Sequence, residues 1–423
     1  MAPPILSEAA PQRTIGNREF VALMALLQAL QALAIDSMLP ALGTLSNELG
    51  ASDANQRQLV VGLFLIFSGI GSLAPGALAD RYGRRPVLLG CLGFYVVFSA
   101  ACALVTHFAM MLVLRALVGL ASAGLTVLPQ AIIRDRFEGD RMARLQSTVA
   151  SVFMVVPMIA PSVGQAVLLV AGWRWIFGVM ALLGLAVAIW TALRLPETLR
   201  PEFRQQIRPR VILDTMGSVL ANRPSLGYVF GMAFVQGALF GYINSTQQLV
   251  AEHFGAGTRF PLIFGGMALA MASTNFINSR IVERFGARRV SHAALLGYIA
   301  VSIAQLALAL TGMETLWRFV PVMTVNLCMM GFIGANFSSI ALQPFARVAG
   351  AAASAQAFIR MVLAACLGSL IGQAYDGTAR PLAGALLCAG TGGLLLVLFS
   401  ERGVLFRRLH PRVIQPAAGT RAA

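Results

Sequence analysis

The sequence predicts an all-α, multi-pass membrane protein whose twelve spanning helices form two pseudo-symmetric halves of six. Three observations support this fold class. The 423 residues are 57% hydrophobic and 12% charged, with a mean hydropathy of +0.75, well outside the range of soluble globular proteins. Apolar stretches of about 20 residues, each long enough to cross roughly 30 Å of hydrocarbon, recur along the chain. A charged, glycine-containing segment after the second stretch recurs after the eighth.

The spans are helices and not strands of a membrane barrel. Runs such as GLLLVLF and ALLGLAVAIW are apolar on every face, whereas a barrel strand alternates polar and apolar residues. The twelve spans, numbered in chain order, are predicted at residues 19–45, 57–79, 86–106, 108–133, 144–171, 173–195, 224–250, 260–282, 289–311, 316–344, 352–374 and 380–401.

A long connection, rich in arginine and proline, divides the spans six and six. The two halves resemble each other, because Ala79-Asp-Arg-Tyr-Gly-Arg-Arg85 after span 2 matches Val282-Glu-Arg-Phe-Gly-Ala-Arg288 after span 8. Homologous halves of this kind are typical of a transporter that rocks one half against the other around a central site. The predicted domains are an N-terminal six-helix bundle, a cytoplasmic linker, a C-terminal six-helix bundle and a cytoplasmic tail, at residues 1–195, 196–223, 224–401 and 402–423.

The distribution of arginine predicts the orientation of the chain. All 32 basic residues are arginine, and the net charge is +15. They concentrate after spans 2, 4, 6 and 8 and in the tail, so the positive-inside rule places both termini in the cytoplasm, with the spans in a bacterial inner membrane. The charge is therefore interpreted as an orientation signal, and no nucleic-acid partner is expected. The N-terminal segment lacks the features of a cleaved secretory signal, so span 1 is predicted to be retained.

Composition narrows the function class further. Cys91, Cys102, Cys328, Cys366 and Cys388 all fall inside spans without metal-ligand spacing, so neither a metal nor a cofactor is expected. The sequence has no HExxH motif and no mid-span histidine, which argues against an intramembrane enzyme. No connection is long enough for a soluble signalling domain, and a channel does not require two rocking halves. We therefore expect a transporter and not an enzyme.

Several motifs carry a resemblance to a known family. The segment GALADRYGRRPVLL at 76–89 resembles the loop between helices 2 and 3 of the major facilitator superfamily, and the similarity covers the whole chain. A further set of motifs resembles the Bcr/CflA type of drug:proton antiporter, the bicyclomycin and chloramphenicol resistance group. These motifs are AIDSMLPAL (34–42), RALVG (115–119), VPMIAPSVGQ (156–165), GWRWIF (172–177), LPETL (195–199) and AGAAASAQAF (349–358).

The resemblance implies a major facilitator fold and a function. The expected activity is efflux of small hydrophobic drugs or metabolites by alternating access, in exchange for protons and driven by the proton gradient, by a chain that works as a monomer. The alternative is a proton-coupled symporter that imports a small organic nutrient. The two differ in the direction in which substrate moves under a proton gradient.

The charged segment after span 2 is a predicted conformational latch. Asp80 lies at the C-terminal end of span 2, where the helix dipole disfavours an anion, and the start of span 11 is predicted on the same side. The resemblance implies that this motif joins the halves through span 11 in the outward-open state. Alternatively, its charges only enforce topology and solvate a tight turn. The predicted latch residues are Gly76, Asp80, Arg81, Gly83, Arg84 and Arg85.

Asp36 is the predicted proton-coupling residue. A charge at bilayer depth costs at least about 2.5–3.5 kcal/mol, so a mid-span carboxylate indicates a functional site. Pro40, one turn further on, is expected to loosen the helix. Arg115 in span 4 is the predicted partner, because the two residues lie at depths that agree to about 5 Å at 1.5 Å per residue. The alternatives are a structural ion pair for Asp36, and for Arg115 contact with backbone carbonyls or with substrate.

Span 5 and the polar side chains of other spans complete the predicted site. Pro157, Pro161 and Gly164 are expected to bend span 5 and allow close packing, and they resemble the antiporter motif of the family. Gln28 stands where some multidrug relatives have a second acid, which favours neutral or singly charged substrates. The predicted cavity accepts drugs through apolar contacts and a few polar anchors. The residues predicted to line it are Gln28, Gln31, Met154, Gln236, Phe240, Asn244, Gln247 and Asn336.

Overall fold

The computed structural model describes residues 15–406 apart from 52, 138, 200, 201, 203 and 205–208. The described residues form helices, turns and loops and no strand, which confirms the all-α prediction. The helices are α1 (Asn17–Asp36), α2 (Leu42–Glu48), α3 (Leu59–Gly71), α4 (Leu73–Tyr82), α5 (Arg84–Leu104), α6 (Phe108–Arg136), α7 (Gly139–Ala171), α8 (Trp173–Arg194), α9 (Pro209–Ala221), α10 (Arg223–Thr246), α11 (Phe260–Phe285), α12 (Ala287–Leu310), α13 (Leu316–Leu342), α14 (Ala349–Gln373) and α15 (Arg380–Ser400).

Each predicted span coincides with one helix or with a bent pair. Span 1 is α1 with α2, span 2 is α3 with α4, spans 3 to 6 are α5 to α8, and spans 7 to 12 are α10 to α15. Within the described residues, 10 helical segments are long and apolar enough to cross a bilayer, and the pair α3 and α4, bent by 41°, brings the number to 11. In α7 the apolar segment among the described residues is Val155–Ala171, which is shorter than the other spans.

Span 1 is broken, and part of the linker is helical. The first span breaks after Asp36 and continues through a 3-10 turn, Leu39–Ala41, into α2. Pro40 lies in that turn, and its missing N–H and fixed ring explain the break, as predicted. The linker contains a helix, α9, which packs against α14.

The described chain begins and ends at the same end of the bundle, which we call the terminal face, and we call the other end the opposite face. The terminal face carries the start of α1, the turns at Gly83 and Gly286, and the end of α15. The opposite face carries the end of α2, the turn at Gly172 and a π-helical segment, Gln247–His253, that extends α10. Both glycine turns of the terminal face have positive φ, 106° and 85°, a conformation that favours glycine.

The two halves pack in the same way. In the N-terminal half α3 packs on α6 and α5 on α8, and in the C-terminal half the equivalent helices pair in the same way, α11 on α13 and α12 on α15. The halves meet along two equivalent helix pairs, α3 with α14 and α7 with α11. Glycine allows the second crossing, because a Cβ atom on Gly265 of α11 would lie 2.7 Å from the Met158 carbonyl oxygen of α7. This arrangement confirms the prediction of two similar six-helix halves.

Candidate transport site

Asp36 ends α1 immediately before the break in span 1. Its side chain is 5% exposed, and it makes no ion pair or hydrogen bond with any other residue in the described part of the chain. Helical spacing puts Asp36 on the same side of α1 as Ala29 and Leu33. Close by, Gly164 of α7 packs so tightly on the Ser37 carbonyl that a Cβ atom would not fit. Asp36 therefore lies beside the crossing of α1 and α7.

Arg115 is fully buried in α6 and is held by backbone carbonyls. Its Nε donates to the Val60 carbonyl oxygen at 3.1 Å, and one Nη donates to the Ala34 carbonyl oxygen at 2.9 Å. Its guanidinium carbon lies 4.5 Å from the centre of the Phe64 ring and 5.8 Å from that of Phe177, so it is sandwiched by aromatic faces. The other terminal nitrogen, Nη1, is buried without a hydrogen-bond partner in the described chain.

The predicted ion pair between Asp36 and Arg115 is not formed in this structure. Matching depth along the membrane normal was the basis of that prediction, but depth does not fix the rotation of a side chain about its helix. Arg115 reaches the Ala34 carbonyl from the side of α3 and α6, whereas Asp36 lies on the side of α1 that packs against α7. The contact of Arg115 with backbone carbonyls was the alternative left open.

Helix α7 carries the predicted antiporter-like motif. Pro161 and Gly164 are buried and Pro157 is half-buried. The helix continues through both prolines, and Gly164 provides the close approach to α1 described above. The Met154 side chain, also predicted to line the cavity, lies outside the described part.

The C-terminal half contributes a second mid-span arginine. Arg360 of α14 donates to the Gln236 Oε1 atom of α10 at 2.8 Å. Gln236 was a predicted cavity residue, whereas Arg360 was not among the predicted site residues. The pair is half-buried and joins the two helices in the interior of the C-terminal half.

Most of the other predicted cavity side chains hold helices together. Asn244 donates to the Gly368 carbonyl oxygen at 3.0 Å, and Asn336 donates to Asn278 Oδ1 at 2.8 Å. Gln31 donates to the Ser68 hydroxyl of α3 at 2.6 Å. These amides act as interhelical contacts, while Gln28 remains half-buried without a recorded bond.

Phe240 and Gln247 complete the predicted set. Phe240 is buried against Gly368 of α14, and its Cβ lies where a side chain on that glycine would have to be. Gln247, at the start of the π-helical segment, donates to Glu252 Oε1 at 3.3 Å. Both residues are therefore packed toward the opposite face.

The predicted latch residues pair within the N-terminal half. Arg84 binds Asp80 at 2.7 Å and Asp135 at 2.8 Å, so the cation compensates the anion at the end of α4. Arg85 donates to the Ala192 carbonyl oxygen, and Arg81 lies over the Tyr82 ring. No ion pair or hydrogen bond joins these residues to α14 in the described chain, so the latch across the halves remains a prediction.

Two glycines of the latch motif have different surroundings. Gly83 has a positive φ, and a Cβ atom there would lie 2.5 Å from the Glu197 carboxylate. Glu197 accepts from the backbone N–H groups of Arg84 and Arg85 at the start of α5. Gly76 has more space, because its nearest neighbour would be Val127 at 3.8 Å. Gly83 is therefore required here for the turn, whereas Gly76 is not tightly packed.

The opposite face carries a cross-half network that the sequence analysis missed. Arg57 makes two hydrogen bonds of 2.6 Å to the Glu252 carboxylate. Asn55 donates to the carbonyl oxygens of Gln373 and Tyr375, at 3.2 and 2.7 Å. The adjacent amides Gln58 and Gln248 also pair across the halves, and Gln373 donates to the Asn55 carbonyl oxygen at 2.7 Å. The halves are thus joined at the opposite face.

A sequence signal for this network existed. Arg57 lies at the start of predicted span 2, away from the arginine-rich connections, where the positive-inside rule gives it no role. Its partner Glu252 is nearly 200 positions away in the sequence, so the pairing depends on how the two halves dock.

Similar proteins of known family agree with the fold. Residues 24–373 match the model of the Major Facilitator Superfamily. The chain is 31% identical to an uncharacterised MFS-type transporter, YdgK, of Bacillus subtilis, over 88% of this chain and 93% of that one. It is 28% identical to a bicyclomycin resistance protein homolog of Haemophilus influenzae, over 86% and 91%.

A solved structure gives the same architecture. A bacterial homolog of the human lysosomal transporter Spinster, in an inward-facing and occupied conformation, covers 93% of this chain and 97% of its own, with a TM-score of 0.68 and 17% identity. That likeness concerns the fold alone. With the family match, the sequence relatives and the all-helical fold together, the chain belongs to the Major Facilitator Superfamily and is a multi-pass membrane transporter.

Proposed function

We propose that this transporter is a secondary active antiporter, which exports small hydrophobic drugs or metabolites in exchange for protons. The observation that carries the proposal is Asp36, a buried carboxyl group at a helix break with no charged partner among the described residues. An unpaired charge at bilayer depth costs about 2.5–3.5 kcal/mol or more, so its protonation depends on whether a cation approaches. Such a group is suited to exchanging a proton during a conformational change.

Arg115 supports a coupling cycle with Asp36. Its Nη1 atom is buried and has no hydrogen-bond partner in the described chain. The other terminal nitrogen of the same guanidinium donates to the carbonyl of Ala34, two residues before Asp36. A rotation at the break between Asp36 and Leu39 would bring the carboxylate to Nη1 and favour release of its proton. Movement back would separate them and favour uptake of a proton.

Alternating access would use the two faces in turn. A network of hydrogen bonds and an ion pair joins the halves at the opposite face, which favours a path open at the terminal face. We propose that the terminal face is cytoplasmic in a bacterial inner membrane, because most arginines of the connections lie there. The structure would then be inward-open, and the Asp80 motif would latch to α14 only after the terminal face closes.

The substrate class follows from the relatives and from the polarity of the site. A relative named for bicyclomycin resistance supports an uncharged, drug-like substrate. Gln28 occupies the position at which some multidrug relatives are expected to have a second acid, so a divalent cation has fewer anionic partners here. We propose neutral or singly charged compounds and a monomer that needs no cofactor.

The test is substrate-induced proton movement in proteoliposomes. Wild type is compared with Asp36→Asn, using bicyclomycin, chloramphenicol and a lipophilic cation in turn. The matched control is Asp376→Asn, which removes an exposed carboxyl at the opposite face. We expect proton release on substrate addition in wild type and in the control, and none in Asp36→Asn.

Two outcomes would reject the proposal. Unimpaired exchange by Asp36→Asn would remove this residue from the coupling step. Substrate accumulation in the direction of the proton gradient would favour the alternative, a proton-coupled importer of a small nutrient.

A further inference from the structure

A cavity of about 990 Å³ lies outside the transport site, between α1, α7 and α8. It extends along α1 from Asn17 and Arg18 to Leu33, and its other wall includes Val155 and Ile159 of α7. Trp190 of α8 lies at its edge. None of the predicted substrate residues whose side chains the structure describes lines it, and it ends at Leu33, one turn before Asp36.

The cavity opens toward the hydrocarbon of the membrane. Val155, Ile159 and Val163 are 44%, 52% and 38% exposed and lie four residues apart, so they form one exposed apolar row on α7. That row is turned away from Gly164, which contacts α1, and from Met158, which contacts α11. Large apolar side chains exposed on a spanning helix face lipid, so the cavity is a lateral groove.

The groove has the length of one leaflet. Its apolar floor on α1 runs from Val21 to Leu33, which is about 18 Å along the helix axis at 1.5 Å per residue. One leaflet contributes about 15 Å of the roughly 30 Å hydrocarbon thickness. The small side chains Ala22, Ala25 and Ala29 leave the space in this floor.

The mouth of the groove carries an uncompensated cation. Arg18 is exposed at the terminal face and has no ion pair with any described residue. The neighbouring acid, Glu19, is already bound by Arg194 at 2.7 and 2.8 Å and by the Trp190 indole at 3.0 Å. Asn17 adds an amide beside Arg18. Among the described residues that line this mouth, an anionic group would therefore meet a cation that has no ion pair.

We propose that this groove is a binding site for an anionic phospholipid of the leaflet at the terminal face. Its phosphate binds Arg18 and Asn17, and its acyl chain fills the groove along α1. The described side chains that line the deep part of the groove on α1 are apolar, so a drug with polar groups is a poorer match for it than a lipid tail. The site is independent of the proposed antiport.

The test measures lipid binding to the full-length protein in detergent. Phosphatidylglycerol and phosphatidylcholine with identical acyl chains are titrated, and binding is followed by thermal unfolding and by native mass spectrometry of retained lipid. Wild type should prefer phosphatidylglycerol by about fivefold, the contribution of one arginine near a lipid surface. Arg18→Gln should lose that preference, and Ala22→Trp should bind neither lipid at this site.

Two matched variants separate the groove from general surface effects. Arg280→Gln removes another exposed arginine, on α11, and Ala186→Trp adds an indole on the exposed side of α8. Both should bind lipid as wild type does. Circular dichroism first confirms that each variant is folded at the temperature used, and lipid binding is then measured by native mass spectrometry.

Other results would overturn the proposal. One is an unchanged phosphatidylglycerol preference in Arg18→Gln, and another is wild-type lipid binding by Ala22→Trp. If Ala22→Trp lost its response to chloramphenicol but kept its lipid response, the groove would be a substrate route instead.

Discussion

The two faces of the molecule use ion pairs differently. On the opposite face, Arg57 of the N-terminal half binds Glu252 of the C-terminal half. On the terminal face, Arg84 binds Asp80 and Asp135 of its own half. Pairs that cross the boundary join the halves at one end, whereas pairs inside one half make that half rigid and leave it free to move as a unit.

The C-terminal half repeats the terminal-face arrangement. Arg288 binds Glu401 at 2.7 Å, and Glu401 also accepts a hydrogen bond of 2.6 Å from the Tyr228 hydroxyl. Two terminal-face pairs are enclosed, because the side chains of Arg84 and Asp135 are 5% and 15% exposed and those of Arg288 and Glu401 are 13% and 10% exposed. In the cross-half pair Glu252 is 47% exposed, much as Asp80 is beside Arg84 at 44%. The two enclosed pairs are therefore expected to contribute more to stability, and the cross-half pair to be easier to break during transport.

The largest expected effect comes from breaking the enclosed pair. Arg84→Gln leaves Asp135 without its cation in a mostly buried position, so we expect the free energy of unfolding to fall by about 3 kcal/mol. Thermal and denaturant unfolding in detergent measure it. Arg81→Gln is the control, because Arg81 is exposed and contacts only the Tyr82 ring, and its effect should stay within about 0.5 kcal/mol. Equal stability of the two variants would contradict this contrast.

A smaller effect, on conformation, is expected at the opposite face. Arg57→Glu replaces the cross-half attraction with repulsion of Glu252, so the population with this face open should rise by about fivefold, or roughly 1 kcal/mol. Adding Glu252→Arg should restore the wild-type population, because it restores the pair with reversed signs.

Spin labels on the terminal face can report this shift. Tyr82 and Phe285, at the ends of α4 and α11, are 52% and 47% exposed and are suitable positions for labels. Their distance should shorten as the opposite face opens. Glu48→Gln is the control, since Glu48 lies on the opposite face but pairs with Arg174 of its own half. A similar shift in this control would show that the boundary crossing is not what matters.

The smallest expected effect concerns an opposite-face acid without a partner. Burial raises the pKa of Glu314, in the loop between α12 and α13, from 4.5 to about 7, and its Oε1 has no hydrogen-bond partner in the described chain. The unfolded chain ionises near pH 4.5, but the folded protein resists ionisation until about pH 7. The stabilisation from this group is therefore full below pH 4.5 and is lost as pH rises through 7.

Glu314→Gln should remove that loss. The unfolding temperature of wild type should fall relative to this variant between pH 5 and pH 8. Asp376→Asn should differ from wild type in the opposite sense, because hydrogen bonds from Thr378 lower the pKa of Asp376, so its contribution is lost as pH falls. Parallel pH curves for wild type and Glu314→Gln would refute the assignment.

The comparison of faces also shows how far the sequence could be interpreted. Hydropathy located all twelve spans, and the position of Pro40 predicted the break after Asp36. Helix α9 was not predicted, because an amphipathic helix inside an arginine-rich linker lacks the length and hydropathy of a span. Within the site, Asp36 was found because a buried carboxylate is costly in any fold.

What the sequence by itself determined is position along the membrane normal: which residues span, how deep Asp36 and Arg115 lie, and where the halves divide. Only the tertiary structure decided rotation and neighbours, which turned Asp36 toward α7 while Arg115 bound the carbonyls of Val60 and Ala34. The same holds for Arg57 and Glu252, since their contact depends on how the halves dock. The physical reason is that each residue advances a helix by a fixed 1.5 Å, whereas its partners depend on packing between helices far apart in sequence.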